Sequence, residues 1–196
     1  MIFIYENYVT KINLNLKSVK YIISMGIFLS YCFKAIGIVE KGFPKPEDPN
    51  RNMYKSKHEF IGIIRIFDDY LSGLKGLEEY SHIIVLYVFS EVERSVLEVE
   101  HHLTGRQIGI FATRYPPRPN PIGLTVVELI NLDPPKLIVK GLDAWTGSPI
   151  LDLKPYDYYD IIKRPRVSRD FEIEWKRNFE TKRDIYEKLT KIIGPC

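Results

Sequence analysis

The sequence predicts a mostly β fold, a compact β-barrel with an amphipathic helix at its C-terminal end. Between Phe33 and about Leu153, short segments rich in Ile, Val, Tyr and Phe alternate with Gly, Pro, Asp or charged residues, which is typical of closely spaced strands. Few helical stretches interrupt them, and this favours a barrel or sandwich over alternating strand–helix units. Hydrophobic residues make up 45% of the 196 residues, enough to form a sizeable core.

Taken in chain order, the segments with strand composition are Phe33–Glu40, Phe60–Phe67, Ser81–Phe89, Ser95–His101, Gln107–Thr113, Leu124–Asn131 and Lys136–Leu142. The run Ile83–Phe89 is apolar at every position, which predicts a strand buried on both faces. Gly73 and Gly76 interrupt Asp69–Tyr80, so only a short helix or turn is expected there.

The C-terminal segment has a different periodicity. Its apolar residues recur near helical spacing at Trp175, Phe179, Ile185, Leu189 and Ile192. Gly194 and Pro195 end this pattern, so we expect an amphipathic helix over Glu174–Ile193, packed on the barrel. The predicted organisation is a barrel domain over residues 33–160, followed by a basic segment and helix over 161–196.

Residues 1–32 are expected to be an N-terminal extension to which the pattern assigns no structural role. An apolar run between Lys20 and Lys34 superficially resembles a signal peptide, but no small-residue cleavage site follows it. The run is also shorter than the roughly 18–20 residues of a membrane span, so no membrane association is expected. We favour translation from Met25, which would leave residues 1–24 outside the fold.

Charge, cysteine content and missing motifs argue against a disulfide-rich protein, a zinc site and a Rossmann or P-loop nucleotide site. The formal net charge is only +3, which permits a nucleic-acid partner without requiring one. The two cysteines, Cys32 and Cys196, form neither a disulfide framework nor a zinc site, and they suit a reducing, cytoplasmic setting. The sequence has no G-x-G-x-x-G and no P-loop, so a Rossmann or P-loop nucleotide site is not indicated.

The most distinctive segment is Gly109–Leu124, which reads GIFATRYPPRPNPIGL. Prolines at 116, 117, 119 and 121 fix the backbone of a loop that carries Arg114, Arg118 and Asn120. A rigid loop of this kind binds a polar ligand at a low entropic cost. A structural crossover with solvated arginines is an equally open interpretation.

Two further segments carry polar groups at turns. Asp143, Thr146 and Ser148 surround Gly147, so the segment supplies acceptors, hydroxyls and exposed N–H groups, although a simple hairpin would look the same. His82 stands at the start of the apolar strand, where a histidine is more often a hydrogen-bonded structural group than a catalyst.

In chain order, YSHIIVLY, GIFATRYPPRPNPIGL and GLDAWTGSPILDLKPY together resemble the TsaA/TrmO family over about Phe33–Tyr156. The resemblance implies a β-barrel methyltransferase that binds S-adenosylmethionine without a Rossmann fold, as a homodimer. It also implies methylation of the exocyclic nitrogen of threonylcarbamoylated adenosine next to the anticodon of certain tRNAs. The family's Pro-Arg-Gln triplet is replaced by Pro49-Asn50-Arg51-Asn52, so only Arg51 is a counterpart.

Motif position transfers a set of site residues to this chain. The resemblance implies that the cofactor contacts His82, Ile83, Arg114, Leu124, Trp145, Thr146, Gly147 and Ser148, with Asp143 and Arg118 nearby. Methyl transfer from a sulfonium is an in-line displacement, so alignment supplies most of the catalysis. An arginine fork suits the methionine carboxylate, and His82 or Asp143 is expected to accept the proton from the exocyclic amine. No metal is expected.

For the RNA, a basic segment follows the barrel. Arg164 and Arg166 within it, together with Arg118, are expected to contact tRNA, and Tyr156, Tyr158 and Tyr159 precede them as possible stacking groups. A solvated tail is the structural alternative. Two other functions stay open: a non-catalytic S-adenosylmethionine sensor, and an RNA-binding barrel whose Pro/Arg loop contacts phosphate.

Overall fold

Alternating burial of branched and aromatic side chains organises the chain into antiparallel strands. The computed structural model describes residues 31–48, 57–162 and 165–180. The proposed start at Met25, the counterpart Arg51 and the RNA-binding candidate Arg164 lie outside these residues, as does the predicted helix beyond residue 180. Backbone contacts divide the chain into two units, Met1–Phe33 and Lys34–Cys196.

The strands are β1 (Gly37–Lys41), β2 (Ile61–Ile66), β3 (His82–Val88), β4 (Glu98–Glu100), β5 (Gln107–Gly109), β6 (Ile122–Asp133), β7 (Lys136–Lys140) and β8 (Pro149–Pro155). Six of them close into a barrel in the order β1-β2-β7-β6-β3-β8, while β4 and β5 form a separate two-stranded sheet. All pairings are antiparallel. The predicted mostly β barrel is therefore confirmed.

Strand β3 lies between β6 and β8 in the barrel wall. Ile83, Val85 and Tyr87 are buried, whereas the alternate residues Ile84, Leu86 and Val88 are only half-buried. The prediction that both faces are buried is wrong, because a closed barrel encloses one face of each strand and leaves the other outside. The enclosed core continues through residues of the other strands such as Ile64, Val127 and Val139.

Strand β8 has no segment of its own among the predicted strands, although the predicted strand region extends to about Leu153 and Asp152 and Lys154 alternate with apolar residues. These two side chains form an ion pair, at 2.6 Å between Lys154 Nζ and Asp152 Oδ2. The turn that leads into β8 was open to interpretation as a hairpin. That interpretation is wrong, because it joins β7 to β8 and these strands are not neighbours in the barrel.

The other elements largely follow the predicted pattern. Short 3₁₀ helices occupy Asp68–Leu74 and Leu77–Glu79, in the glycine-interrupted segment. The C-terminal helix α1 (Arg169–Glu180) begins before the predicted Glu174. Ser168 accounts for this, since its Oγ accepts a hydrogen bond from the Phe171 N–H at 3.1 Å and so caps the helix.

Buried Asp170 in the first turn of α1 ties the helix to the β4–β5 hairpin. Its carboxylate accepts hydrogen bonds from the Thr104 hydroxyl, at 3.0 Å, and from Arg106. In the part of the chain that the structure describes, no helix combines the length and apolarity needed to cross a membrane.

Candidate functional site

A cleft of about 760 Å³ opens where the end of β3 meets the start of β6. These strands pair antiparallel with Val88 opposite Ile122, so the segments that follow β3 and precede β6 lie side by side. The polar and aromatic side chains that line the cleft include Tyr87, Arg114, Arg118, Asp143 and Trp145. The volume falls within the range of about 300–1,000 Å³ that is usual for small-molecule sites.

The proline-rich loop beside the cleft is held by its own hydrogen bonds. Arg118 Nη1 donates to the carbonyl oxygens of Thr113, at 2.7 Å, and Ile110, at 3.3 Å. The Val96 N–H donates to the carbonyl of Pro117 at 3.0 Å. Since the prolines also fix the backbone dihedrals, the shape of this loop is largely set before a ligand arrives.

The two arginines of this loop differ in their surroundings. Arg118 is half-buried, bonded to loop carbonyls, and its guanidinium carbon lies 6.0 Å from the centre of the Phe111 ring. Arg114 is exposed and lines the cleft. The structure thus gives Arg118 a part in shaping the loop and places the Arg114 guanidinium where a ligand can reach it.

Tyr87, Gly123 and Asp143 come from three different segments and meet at the base of the cleft. Tyr87 is 2% exposed and stands opposite Gly123 across the β3–β6 pair. A Cβ atom on residue 123 would lie 2.3 Å from Tyr87 Cζ, so the motif glycine is required for the ring to occupy this position. The Tyr87 hydroxyl donates to Asp143 Oδ1 at 2.9 Å. Burial and the Asp143 carboxylate raise the pKa of Tyr87 far above its usual value.

The turn that carries Asp143 is anchored to the end of β1. The Gly42 N–H donates to Thr146 Oγ1 and the Gly147 N–H donates to the Val39 carbonyl, each at 2.9 Å. Gly147 has φ = 87°, in the left-handed region that favours glycine. The Thr146 hydroxyl therefore already accepts a hydrogen bond within the fold.

Trp145 and Ser148 of the same turn line the cleft. Lys45 Nζ lies 5.4 Å from the centre of the Trp145 ring and pairs with Glu91, which also lines the cleft. The turn therefore contributes Trp145 and Ser148 to the cleft lining while its backbone is bonded to β1.

Of the residues predicted to bind the cofactor, the structure brings four together in the cleft: Arg114, Leu124, Trp145 and Ser148. The predicted neighbours Asp143 and Arg118 join them. Ile83 is fully buried in the barrel core. Thr146 and Gly147 belong to the same turn, but they are not among the described residues that line the cleft.

His82 lies at the other end of β3, about 20 Å along the strand from Val88 at roughly 3.3 Å per residue. It is exposed, and its Nδ1 lies 3.0 Å from the hydroxyl of the preceding Ser81. The structure therefore does not bring His82 together with Asp143, the other predicted proton acceptor. Arg166 is exposed in the segment just before α1, away from the residues that line the cleft.

Sequence reasoning missed Tyr87 and Thr113 as cleft residues. Tyr87 lies within an apolar run and has the composition of a core residue. A signal was present in Gly123, because an isolated glycine in a strand often marks a close approach by another group. The identity of that group depends on the β3–β6 register, which the sequence alone does not give.

The chain is similar to several known proteins. The family model described as the tRNA-methyltransferase O N-terminal domain matches residues 39–161. A probable S-adenosyl-L-methionine-binding protein of Pyrococcus abyssi is 36% identical over 140 residues, which are 71% of this chain and 76% of that protein. An S-adenosyl-L-methionine-binding protein of Archaeoglobus fulgidus is 42% identical over 123 residues, or 63% of this chain and 87% of that protein.

Longer proteins share only part of their length with this chain. A human tRNA (adenine(37)-N6)-methyltransferase is 38% identical over 95 residues, which are 47% of this chain and 22% of the human protein. The crystal structure of TrmO from Pseudomonas aeruginosa superimposes with a TM-score of 0.56 at 28% identity, and the match covers 70% of this chain and 61% of that one. Because the family model spans more than half of the sequence, the chain belongs to the tRNA-methyltransferase O N-terminal domain family.

Proposed function

We propose that this protein is an S-adenosylmethionine-dependent methyltransferase that acts on the exocyclic N6 of adenosine 37, beside the tRNA anticodon. The substrate we infer is the threonylcarbamoylated form of that adenosine, and the cytoplasm is the compartment. The observation that carries the proposal is the cleft itself: family motif residues from the loop and from the turn converge on one cavity of about 760 Å³.

The residues of this cavity suit S-adenosylmethionine. The molecule has an anionic carboxylate, two cationic groups and a flat adenine, and the cleft offers exposed Arg114, Asp143 and the ring of Trp145. When bound, S-adenosylmethionine supplies an electrophilic methyl group on a sulfonium. Arg114 would hold the carboxylate with its planar donor fork, and Ser148 would add a hydroxyl.

The chain's own groups would orient the reactants and remove one proton from N6. Of the two side chains predicted to accept that proton, Asp143 lies in the cleft and His82 does not. No nucleophile from the protein is needed, because alignment of donor and acceptor lowers most of the barrier. The cofactor contacts of His82, Ile83, Thr146 and Gly147 stay predictions that rest on motif position.

An exposed aromatic turn near the end of the barrel supports an RNA partner. Tyr158 and Tyr159 are 91% and 97% exposed, and they sit on a 3₁₀ turn in which Asp157 and Asp160 cap each other's backbone. Exposed rings on a fixed turn suit stacking with unpaired bases. Arg166, exposed a few residues further on, would contact phosphate together with Arg164, which lies outside the described residues.

A homodimer is part of the proposal. Four outward side chains of β6 are apolar and accessible: Ile122 is 36% exposed, Leu124 51%, Val126 42% and Ile130 46%. Phe111, in the 3₁₀ helix that follows β5, is 74% exposed. An apolar surface of this kind beside the cleft suits contact with a second copy. A monomeric mass by light scattering at micromolar concentration, with cofactor present, would count against the dimer.

The experiment that tests the function is mass spectrometry of tRNA nucleosides from a strain that lacks this protein. We expect loss of the N6-methylated threonylcarbamoyl adenosine and its return when the wild-type gene is restored. Restoration with Arg114→Ala should not return it. An unchanged nucleoside profile in the deletion strain would contradict the proposed reaction and favour a non-catalytic cofactor sensor.

A further inference from the structure

Tyr87 combines deep burial with a polar contact at the cleft. Its side chain is 2% exposed, and a buried tyrosine hydroxyl ordinarily needs a hydrogen-bond partner. The partner is Asp143 Oδ1, at 2.9 Å. The pKa of Tyr87 is raised mainly by burial, and the charge and the hydrogen bond of Asp143 raise it further. The hydroxyl therefore keeps its proton and stays a donor across the neutral range.

Packing fixes the place of that hydroxyl independently of any ligand. The ring fills the space that a side chain at residue 123 would need, since a Cβ there would lie 2.3 Å from Tyr87 Cζ. Phe89 packs edge-on against the ring, with centroids 5.2 Å apart and an interplanar angle of 79°. The Tyr87 hydroxyl is thus a rigid donor, and it restrains the carboxylate that it contacts.

Asp143 is half-buried and lines the cleft together with Arg114. A carboxylate offers about four acceptor positions, and the Tyr87 hydroxyl takes one of them. The cleft therefore contains a fixed anion and an accessible cation. Such a pair matches a ligand that carries both signs of charge.

We propose that Tyr87 is a positioning residue that holds the Asp143 carboxylate in place at the cleft, where it binds a cationic group of the ligand. The inference rests on the proposed function, because it takes the ligand to be S-adenosylmethionine. That molecule carries a sulfonium and an α-ammonium, and either is the cation that a carboxylate would select.

The test is calorimetry of three probes with the wild-type chain, Tyr87→Phe and Asp143→Asn. S-adenosylmethionine has both cations, S-adenosylhomocysteine has only the ammonium, and 5′-methylthioadenosine has neither. Tyr87→Phe should weaken S-adenosylmethionine about 5- to 10-fold, because it removes one hydrogen bond to a charged group. Asp143→Asn should weaken it more, by about 30-fold or above. Both variants should bind 5′-methylthioadenosine within about twofold of wild type, since no charge is involved.

The three probes also separate the two cations. Equal losses for S-adenosylmethionine and S-adenosylhomocysteine would place Asp143 at the ammonium, and a loss confined to S-adenosylmethionine would place it at the sulfonium. Tyr80→Phe is the matched control, because it deletes a hydroxyl from an exposed tyrosine outside the cleft lining. Thermal melting of each variant shows whether it is folded.

Two results would overturn the inference. One is wild-type affinity of folded Tyr87→Phe and Asp143→Asn for S-adenosylmethionine. The other is an equal loss for all three probes, which would mean that the pair only supports the fold. If wild type itself binds none of the probes, the proposed function fails, and that outcome is distinct because it needs no variant.

Discussion

The two ends of strand β3 carry different kinds of polar residue in different surroundings. At the cleft end, Tyr87 is buried, covers Gly123 and donates to Asp143 at 2.9 Å. At the other end, His82 is exposed, and its Nδ1 lies 3.0 Å from its neighbour Ser81. Histidine is the residue type more often used in acid–base chemistry, yet three segments of the chain converge around the tyrosine.

Convergence explains why the cleft end is the better candidate for the site. Ligand recognition needs several groups held in fixed relation to one another, and the loop, the turn and β6 supply them there. The aromatic contact of His82 is with Tyr156, whose ring centroid is 6.5 Å away. The substitutions below test whether the two ends differ in function as they do in structure.

The largest effect is expected from Arg114→Ala. If Arg114 holds the cofactor carboxylate, its loss should cost about 2–4 kcal/mol of binding free energy, because a charge-assisted and partly desolvated pair is lost. Arg114→Lys should recover only part of this, since an ammonium lacks the planar fork. Calorimetry with S-adenosylmethionine measures both. Arg94→Ala, at an exposed arginine outside the cleft lining, is the control and should bind normally.

A smaller effect is expected from Gly123→Ala. The new Cβ would lie 2.3 Å from Tyr87 Cζ, so the ring must move, and overpacking of this kind costs about 1–3 kcal/mol. The melting temperature should fall and the Tyr87–Asp143 hydrogen bond should be disturbed. Gly73→Ala is the matched control, because nothing lies within 4 Å of a Cβ there. Equal melting temperatures for the two variants would contradict the close approach of ring and glycine.

Arg166→Ala should leave the cofactor site unchanged and affect only RNA binding. Removing one phosphate contact should weaken tRNA binding and reduce the slope of log affinity against log salt by about one. Fluorescence titration of tRNA at several salt concentrations gives that slope. A variant with the wild-type slope and affinity would show that Arg166 does not contact the tRNA.

The smallest effect is expected from His82→Ala. Because His82 lies about 20 Å along β3 from the cleft end, cofactor affinity should change by less than about twofold, and calorimetry can detect a larger change. A loss as great as that of Arg114→Ala would restore the assignment that motif position gave to His82 and would break the contrast between the two ends.

The sequence predicted the barrel well because branched residues and turn residues alternate clearly over most strands. Strand β8 was not assigned a segment of its own, although Asp152 and Lys154, which form an ion pair, alternate with leucines as in a strand. Helix α1 begins before the predicted Glu174, because the spacing of apolar residues does not reveal the Ser168 cap at its start.

The lining of the cleft was predicted in part for a related reason. Local motifs singled out Arg114, Trp145 and Ser148, whose segments carry strong turn chemistry and which line the cleft. Tyr87 becomes recognisable only when it is seen opposite Gly123, and strand register is a long-range property. The anchoring of Thr146 to Gly42 likewise joins residues far apart in the chain, so sequence alone could not separate its structural role from a cofactor contact.

The most direct test of the proposed activity is transfer of a labelled methyl group from S-adenosylmethionine to purified tRNA by the wild-type protein. Threonylcarbamoylated tRNA and the same tRNA without that modification should be compared. We expect label on N6 of adenosine 37 in the modified tRNA and little in the unmodified one. Cofactor binding without label in either tRNA would contradict methyl transfer and leave a cofactor sensor as the function.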